Sequence, residues 1–116
     1  MATQFSKNTI KAGDGTNYPK VGDTVTMEYT GWLYDANAQQ NRGKKFDSSV
    51  GRGDFRTAIG TGKVIQGWDQ GVPQMSLGER AVLTIPGDMA YGQGGYPGLI
   101  PPMATLIFEV ELKKIN

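Results

Sequence analysis

The sequence predicts an α+β fold in which an antiparallel sheet of about five strands wraps around one short helix. Helical spacing occurs in a single stretch, residues 64–75, whereas several short stretches alternate apolar and polar side chains. The 17 glycines and 6 prolines are typical of many turns between short strands. A chain of 116 residues has room for one core, so we expect residues 1–116 to form a single domain.

The helical stretch is centred on residues 64–72, where Trp68 and Val72 fall on one face of a 3.6-residue period. Gly67 and Gly71, also four apart, leave a second face without side chains. Each interior glycine costs a helix roughly 1 kcal/mol relative to alanine. We therefore expect the glycine face to lie close against the sheet. On these residues alone Trp68 is favoured as an ordinary core residue, and the floor of a ligand pocket is the alternative.

Alternation of apolar and polar residues predicts the strands. It is clearest at residues 24–33, 80–86 and 105–113 and weaker at 4–11, 45–49 and 55–59. Residues 35–43 show no apolar period, so we expect an exposed, mobile loop that the fold does not need. Residues 88–103 hold four glycines and three prolines around two tyrosines, and a connection of that length is usually kept for function.

The composition narrows the function. The chain has no histidine and no cysteine, which excludes Ser-His-Asp and Cys-His catalysis, the usual zinc sites and haem ligation. We therefore expect no metal and no cofactor, and any enzymatic reaction should need little proton transfer near neutral pH. The net charge of +1 argues against binding to nucleic acid or to an anionic membrane. Residues 1–7 lack the apolar run of a leader, and the cytosol is the expected location.

Five short motifs follow one another along the chain. They are Phe46-Asp47-Ser48-Ser49, Val64-Ile65-x-Gly67-Trp68-Asp69-x-Gly71-Val72, Met75-x-x-Gly78-Glu79, Tyr91-Gly92 and Ile100-Pro101-Pro102-x-Ala104-Thr105-Leu106-x-Phe108. One such motif would be a weak signal, but five in this order are highly specific. Together they resemble the FKBP family, the tacrolimus- and rapamycin-binding peptidyl-prolyl isomerases. The resemblance runs from about Tyr18 to the C-terminus and is to the small cytosolic immunophilins.

The resemblance implies a ligand pocket between the helix and the concave face of the sheet. Trp68 would be its floor, and its walls would be Tyr29, Phe46, Phe55, Val64, Ile65, Tyr91, Ile100 and Phe108. Asp47 would be the rim carboxylate, Tyr91 a hydroxyl donor, and the backbone amide of Ile65 a donor to a ligand carbonyl. Tyr96 would lie in a flap that closes over the ligand. The catalytic residues implied are Phe46, Asp47, Trp68 and Tyr91.

The resemblance also implies the function, namely cis-trans isomerisation of X-Pro bonds in peptides and proteins and binding of the macrolides tacrolimus and rapamycin. Drug complexes of such proteins present a surface to calcineurin or to the TOR kinase, and we expect the chain to act as a monomer. One alternative is a module that holds proline-containing segments of a partner, with incidental catalysis. Another is a purely structural interaction domain in which Trp68 is core.

The chemistry of an X-Pro bond fits a chain without histidine or cysteine. Uncatalysed exchange takes ~10–100 s behind a barrier near ~20 kcal/mol, and that barrier is lost amide resonance. The twisted amide is less zwitterionic than the planar one, so a dry aromatic pocket disfavours the planar ground state. Bond twisting moves no proton, which predicts a rate that is flat across neutral pH.

Two segments depart from the family pattern. Residues 35–43 are longer than the tight turn of small members, and Thr57 and Ala58 replace bulkier apolar side chains, so we expect a more open pocket edge. Without the resemblance, Asp47 would be interpreted as a solvated turn acid. The pair Lys44–Lys45 is interpreted as a solvated strand end.

Overall fold

The structure is a computed structural model that describes residues 4–116, and it contains a six-stranded antiparallel sheet within that range. The strands are β1 (Ser6–Lys11), β2 (Thr24–Tyr34), β3 (Arg42–Ser48), β4 (Phe55–Ala58), β5 (Arg80–Ile85) and β6 (Leu106–Ile115). Their order is β1-β5-β6-β2-β3, and β4 also pairs with β2. Residues 1–3, which include the start of the segment expected to lack a leader, lie outside the described range.

The predicted α+β class is confirmed, with one strand more than the five or so predicted. The additional strand arises because β2 is long enough to pair with two short strands along one edge. Its first half, from Thr24 to Met27, pairs with β4, and its second half pairs with β3 from Thr30 onward. Its other edge pairs with β6 from Val25 to Leu33. Strands β2 and β6 therefore form the centre of the sheet.

The core lies on the concave face, where alternate residues of the central strands are buried. In β5 these are Ala81, Leu83 and Ile85, and in β6 they are Leu106, Phe108, Val110 and Leu112. The period-2 patterns predicted for these two strands are therefore confirmed. The outward residues of β6 include Glu109 and Glu111, which form ion pairs with Arg80 of β5.

The helix α1 spans Gln66–Gly71 and continues as a 3₁₀ turn over Val72–Gln74. It is shorter than the predicted stretch because Ile65 has an extended backbone and Pro73 limits continuation. Its glycine face lies against β5 as predicted. A Cβ atom added at Gly67 would come within 2.5 Å of the Ile85 side chain, and one at Gly71 within 3.2 Å of Leu83. The two glycines therefore let the helix backbone approach the sheet.

The loop prediction for residues 35–43 is wrong at its C-terminal end, because β3 already begins at Arg42. Only 21% of the Arg42 side chain is exposed. Its guanidinium lies 4.5 Å from the ring centroid of Trp32, and its Nη1 donates to Glu109 Oε1 at 2.9 Å. Arg42 is therefore an anchor of the hairpin on the outer face of the sheet.

Residues 88–103 form a compact connection with two short 3₁₀ turns, Gly87–Met89 and Gly92–Gly94, and one isolated antiparallel bridge between Tyr96 and Ile100. Gly95, which precedes the bridge, has a φ of 60°, and an added Cβ would collide with the Ile100 carbonyl. This glycine is needed for the tight loop. Across residues 4–116, no helix has the length and apolar character to cross a membrane.

Candidate active site

An aromatic cavity of about 480 Å³ lies between α1 and the concave face of the sheet. Its lining comes from five elements and two connections. The lining residues are Tyr29, Phe46, Asp47, Phe55, Gly62, Lys63, Val64, Ile65, Trp68, Tyr91 and Phe108. The cavity thus combines a wall of aromatic rings with one carboxylate and one exposed lysine at its edge.

Trp68 lies at the centre of the aromatic lining and is only 5% exposed. Its ring contacts Tyr29, Phe108 and Phe55 edge-to-face, with centroid distances of 4.9, 5.1 and 5.7 Å. Such pairs contribute roughly 0.5–1.5 kcal/mol each beyond their buried area. The two interpretations of Trp68 are therefore both correct, since the residue is core and also lines the cavity. Its buried Nε1 has no hydrogen-bond partner within residues 4–116.

The helix start is fixed by backbone and side-chain hydrogen bonds. The Ile65 carbonyl accepts from the amides of Trp68 and Asp69 at 3.0 and 3.2 Å. The Asp69 carboxylate accepts in turn from the amides of Gly60 and Gly62 at 2.8 and 2.9 Å. This carboxylate ties the preceding loop to the helix, and the loop brings Lys63 and Val64 to the cavity edge.

Gly31 lets two of the aromatic walls approach each other. Phe46 and Phe108 pack edge-to-face at 5.5 Å between centroids. A Cβ atom at Gly31 would lie 2.8 Å from Phe46 Cζ and 2.7 Å from Phe108 Cε1. Real Cβ contacts are not that short, so any larger residue on β2 here would displace both rings. The glycine in the middle of this strand is therefore explained by the cavity wall.

Asp47 is held by three donors. Its Oδ2 accepts from the Tyr29 hydroxyl at 2.7 Å, and its Oδ1 accepts from the Ser48 amide at 2.8 Å and from Arg52 Nη2 at 2.9 Å. Ser49 supports the same arrangement, because its Oγ accepts from the Tyr29 amide at 2.9 Å. Burial first, and then the hydrogen bond to Asp47, raise the pKa of Tyr29 to about 12. Tyr29 therefore remains a neutral donor, and Asp47 is not the freely solvated turn acid of its local sequence.

Tyr91 lies at the cavity rim and is 39% exposed. Burial of its hydroxyl, the charge of Asp47 and the neighbouring Tyr96 all raise the pKa of Tyr91. Its hydroxyl makes no hydrogen bond in the described part of the chain, nor does the backbone amide of Ile65. The cavity thus presents two uncharged donors without protein acceptors.

The structure brings together all the predicted site residues except Tyr96 and Ile100. Tyr96 is 53% exposed and packs edge-to-face on Tyr91 at 6.0 Å, outside the cavity lining. Ile100 is 4% exposed, belongs to the core and lines a separate groove. The bridge between the two residues turns this segment away from the cavity wall.

The expected effect of Thr57 and Ala58 on the pocket edge is not found. Neither residue lines the cavity, because the two pair with Val25 and Thr24 at the start of β2. Sequence reasoning also missed Gly62 and Lys63, which do line it. Their position directly before Val64-Ile65 was the available signal.

Comparison with known proteins agrees with this geometry. Residues 15–113 match the family model described as FKBP-type peptidyl-prolyl cis-trans isomerase. The FK506-binding protein 1B of Aspergillus fumigatus is 56% identical over 113 residues, which are 97% of this chain and 94% of that protein. The FK506-binding protein 1 of Yarrowia lipolytica is 58% identical over 108 residues, 92% of this chain and 94% of that protein. A peptidyl-prolyl cis-trans isomerase of Schizosaccharomyces pombe is 56% identical over 111 residues, 95% and 93% of the two chains.

These matches confirm the predicted family and the predicted isomerase activity. They do not favour the alternative of a binding module with incidental catalysis, and the aromatic cavity does not fit a purely structural domain. The chain belongs to the FKBP-type peptidyl-prolyl cis-trans isomerase family.

Proposed function

We propose that the aromatic cavity is where this isomerase holds an X-Pro segment and lets its peptide bond twist. The observation that carries the proposal is the combination of an aromatic lining around Trp68 with two hydrogen-bond donors that lack protein acceptors. An apolar surface accommodates the proline ring, and the donors fix the flanking carbonyls. No group in this arrangement has to exchange a proton.

In the proposed complex the proline ring lies on the indole of Trp68, between the rings of Phe46 and Tyr29. Aromatic walls exclude water, and the planar zwitterionic amide loses more solvation than the twisted one does. The difference lowers the barrier only because it is larger in the transition state than in the ground state. Trp68 and Phe46 act through this dry surface.

The polar residues orient the substrate in this proposal. The Ile65 amide donates to one substrate carbonyl and the Tyr91 hydroxyl donates to another, so the chain on each side of the bond is held while the bond twists. Asp47 stays fixed by Tyr29 and Arg52, which places its negative charge at the rim. Val64, Phe55 and Phe108 complete the apolar wall. Tyr96 covers the outer side of Tyr91, and Ile100 supports the loop from the core.

The same cavity is proposed to bind tacrolimus and rapamycin. The relatives named FK506-binding protein share 56% and 58% of their residues with this chain, and a macrolide can present an apolar ring and carbonyl acceptors to the same groups. By the family resemblance, the finer proposal is a drug complex that binds calcineurin or the TOR kinase. We further propose that residues 1–116 act as one monomeric domain in the cytosol.

The test is an isomerase assay on a short X-Pro peptide with increasing tacrolimus. We expect turnover that the drug abolishes competitively, since substrate and drug would occupy one cavity. Size-exclusion chromatography with purified calcineurin, with and without tacrolimus, tests the finer proposal. Turnover that saturating drug leaves unchanged would contradict the shared cavity.

A further inference from the structure

A second groove, of about 550 Å³, is formed by the end of β2, the start of β3 and residues 94–102. Its walls are mostly apolar and include Leu33, Pro97, Leu99 and Pro101. Among its lining residues Lys44 is the single charged one. We call it the Lys44 groove.

The Lys44 groove adjoins the catalytic cavity along β3. Phe46 lines the cavity and Lys44 lines the groove, and residues two apart on a strand lie on the same side, roughly 7 Å from each other. The 88–103 connection joins the two sites in the same way. Tyr91 lines the cavity, its edge-to-face partner is Tyr96, and the next residue, Pro97, lines the groove. A polypeptide that leaves the cavity across this boundary enters the groove.

Lys44 is available to a ligand. Its residue is exposed, and its ammonium forms no ion pair or hydrogen bond with a side chain in the described part of the chain. The neighbouring Lys45 is also exposed, but it lies opposite Trp32 in the strand pairing and does not line the groove. The two adjacent lysines therefore differ in what they can contact, although the sequence presents them as one pair.

We propose that the Lys44 groove is an extended subsite that binds the segment flanking the X-Pro bond and selects an acidic side chain in it. This inference rests on the proposed function of the cavity. The rings of Trp68, Phe108 and Phe46 follow one another at centroid distances of 5.1 and 5.5 Å. A substrate with its proline over Trp68 therefore reaches Lys44 within about five extended residues. The apolar groove holds the segment, and the Lys44 ammonium pairs with its carboxylate.

The test uses long peptides with one central X-Pro bond and one glutamate, moved stepwise along both flanks. A glutamine peptide matches each glutamate peptide. We expect kcat/KM of the wild-type protein to favour glutamate about two- to fivefold at a position within five residues of the proline, the range for an exposed ion pair. High salt should remove the preference. Lys44→Glu should reverse it, whereas the matched variant Lys45→Glu should retain it.

The outcomes separate this inference from the function on which it rests. Equal rates for glutamate and glutamine at every position would overturn the Lys44 groove as a subsite, as would equal loss of the preference in both lysine variants. A short peptide that occupies only the cavity would still be turned over in that case. Failure to turn over the short peptide would overturn the proposed function and this inference with it.

Discussion

The two tryptophans of the chain lie on opposite sides of the sheet and have opposite surroundings. Trp68 faces the concave side, where three aromatic rings contact its edges and a cavity remains open beside it. Trp32 faces the outer side, where the guanidinium of Arg42 covers its ring and an ion pair with Glu109 fixes the guanidinium. The comparison shows that an aromatic ring becomes a binding surface only where no protein cation or side chain covers it.

The largest expected effect comes from removing each tryptophan in turn. Trp68→Ala removes the surface under the proline ring, and loss of such a buried side chain corresponds to roughly a 10- to 100-fold lower kcat/KM. Stability should fall by ~3–5 kcal/mol, so the folded fraction has to be verified by circular dichroism. Trp32→Ala is the matched control, and its kcat/KM should stay near that of the wild type. Equal loss of activity in the two folded variants would contradict the comparison.

A smaller effect is expected from Gly31→Ala, which changes the concave face without removing an aromatic ring. The added methyl would push Phe46 and Phe108 apart, and overpacking of this kind costs ~1–3 kcal/mol. We expect a lower kcat/KM on X-Pro peptides, but a smaller loss than for Trp68→Ala. Gly94→Ala is the control, because a Cβ there meets nothing within 4 Å. Unchanged catalysis in a folded Gly31→Ala protein would mean that the two rings do not shape the site.

On the outer face, Arg42→Ala should lower stability and leave catalysis intact. It removes the contact with Trp32 and the ion pair with Glu109, which together contribute about 1–2 kcal/mol. Replacing residues 36–40 by Asn-Gly keeps Arg42 and shortens the loop, and a shorter loop changes closure entropy by only about 0.6 kcal/mol per halving. Thermal unfolding should therefore distinguish the two changes. A larger loss from the loop replacement than from Arg42→Ala would show that the loop itself packs on the body.

The sequence predicted what depends on local periodicity. Trp68, Gly67 and Gly71 have helical spacing, and the structure puts them where that spacing requires. Arg42 was missed because its partner Glu109 lies 67 residues away and its role depends on strand order. The bond between Tyr29 and Asp47 likewise depends on the register of β2 and β3. The resemblance to the family supplied these site residues, which no local pattern could have brought together.

Tyr96 and Ile100 show the limit of the resemblance. Both were assigned to the pocket, but the backbone bridge between them decides where their side chains lie. Such a bridge depends on the conformation of Gly95 and of the loop around it, for which the sequence has no periodic signal. Loop geometry was therefore the least predictable part of the site.

The smallest expected effect is that of neutral pH on the rate. The pKa of Tyr29 is raised to about 12 and that of Tyr91 is also raised, so both cavity phenols stay protonated between pH 6 and 8. We expect kcat/KM to be flat across that interval for a peptide without titratable groups, at constant ionic strength. A tenfold change in an intact fold would contradict a mechanism without proton transfer.

At extreme pH the two faces should fail at opposite ends. The pKa of Tyr29 is higher in the folded than in the unfolded chain, so its contribution to stability is complete below pH ~10 and lost as the pH rises toward ~12. Burial would raise the pKa of Glu109, but hydrogen bonds from Arg80 and Arg42 hold it below the usual value. Its contribution is complete above pH ~4.3 and lost as the pH falls through the folded value. Arg42→Ala should therefore reduce the acid-side loss and leave the alkaline one unchanged, as urea unfolding at each pH would show.

The most direct test of the central claim is a tacrolimus titration of the Trp32→Phe protein, in which Trp68 is the one remaining tryptophan. The account predicts a saturable change in tryptophan emission at one drug per chain, with the same midpoint as inhibition of isomerase activity. Inhibition that saturates while the emission of Trp68 stays constant would contradict it, because the drug would then block catalysis without lying on the indole.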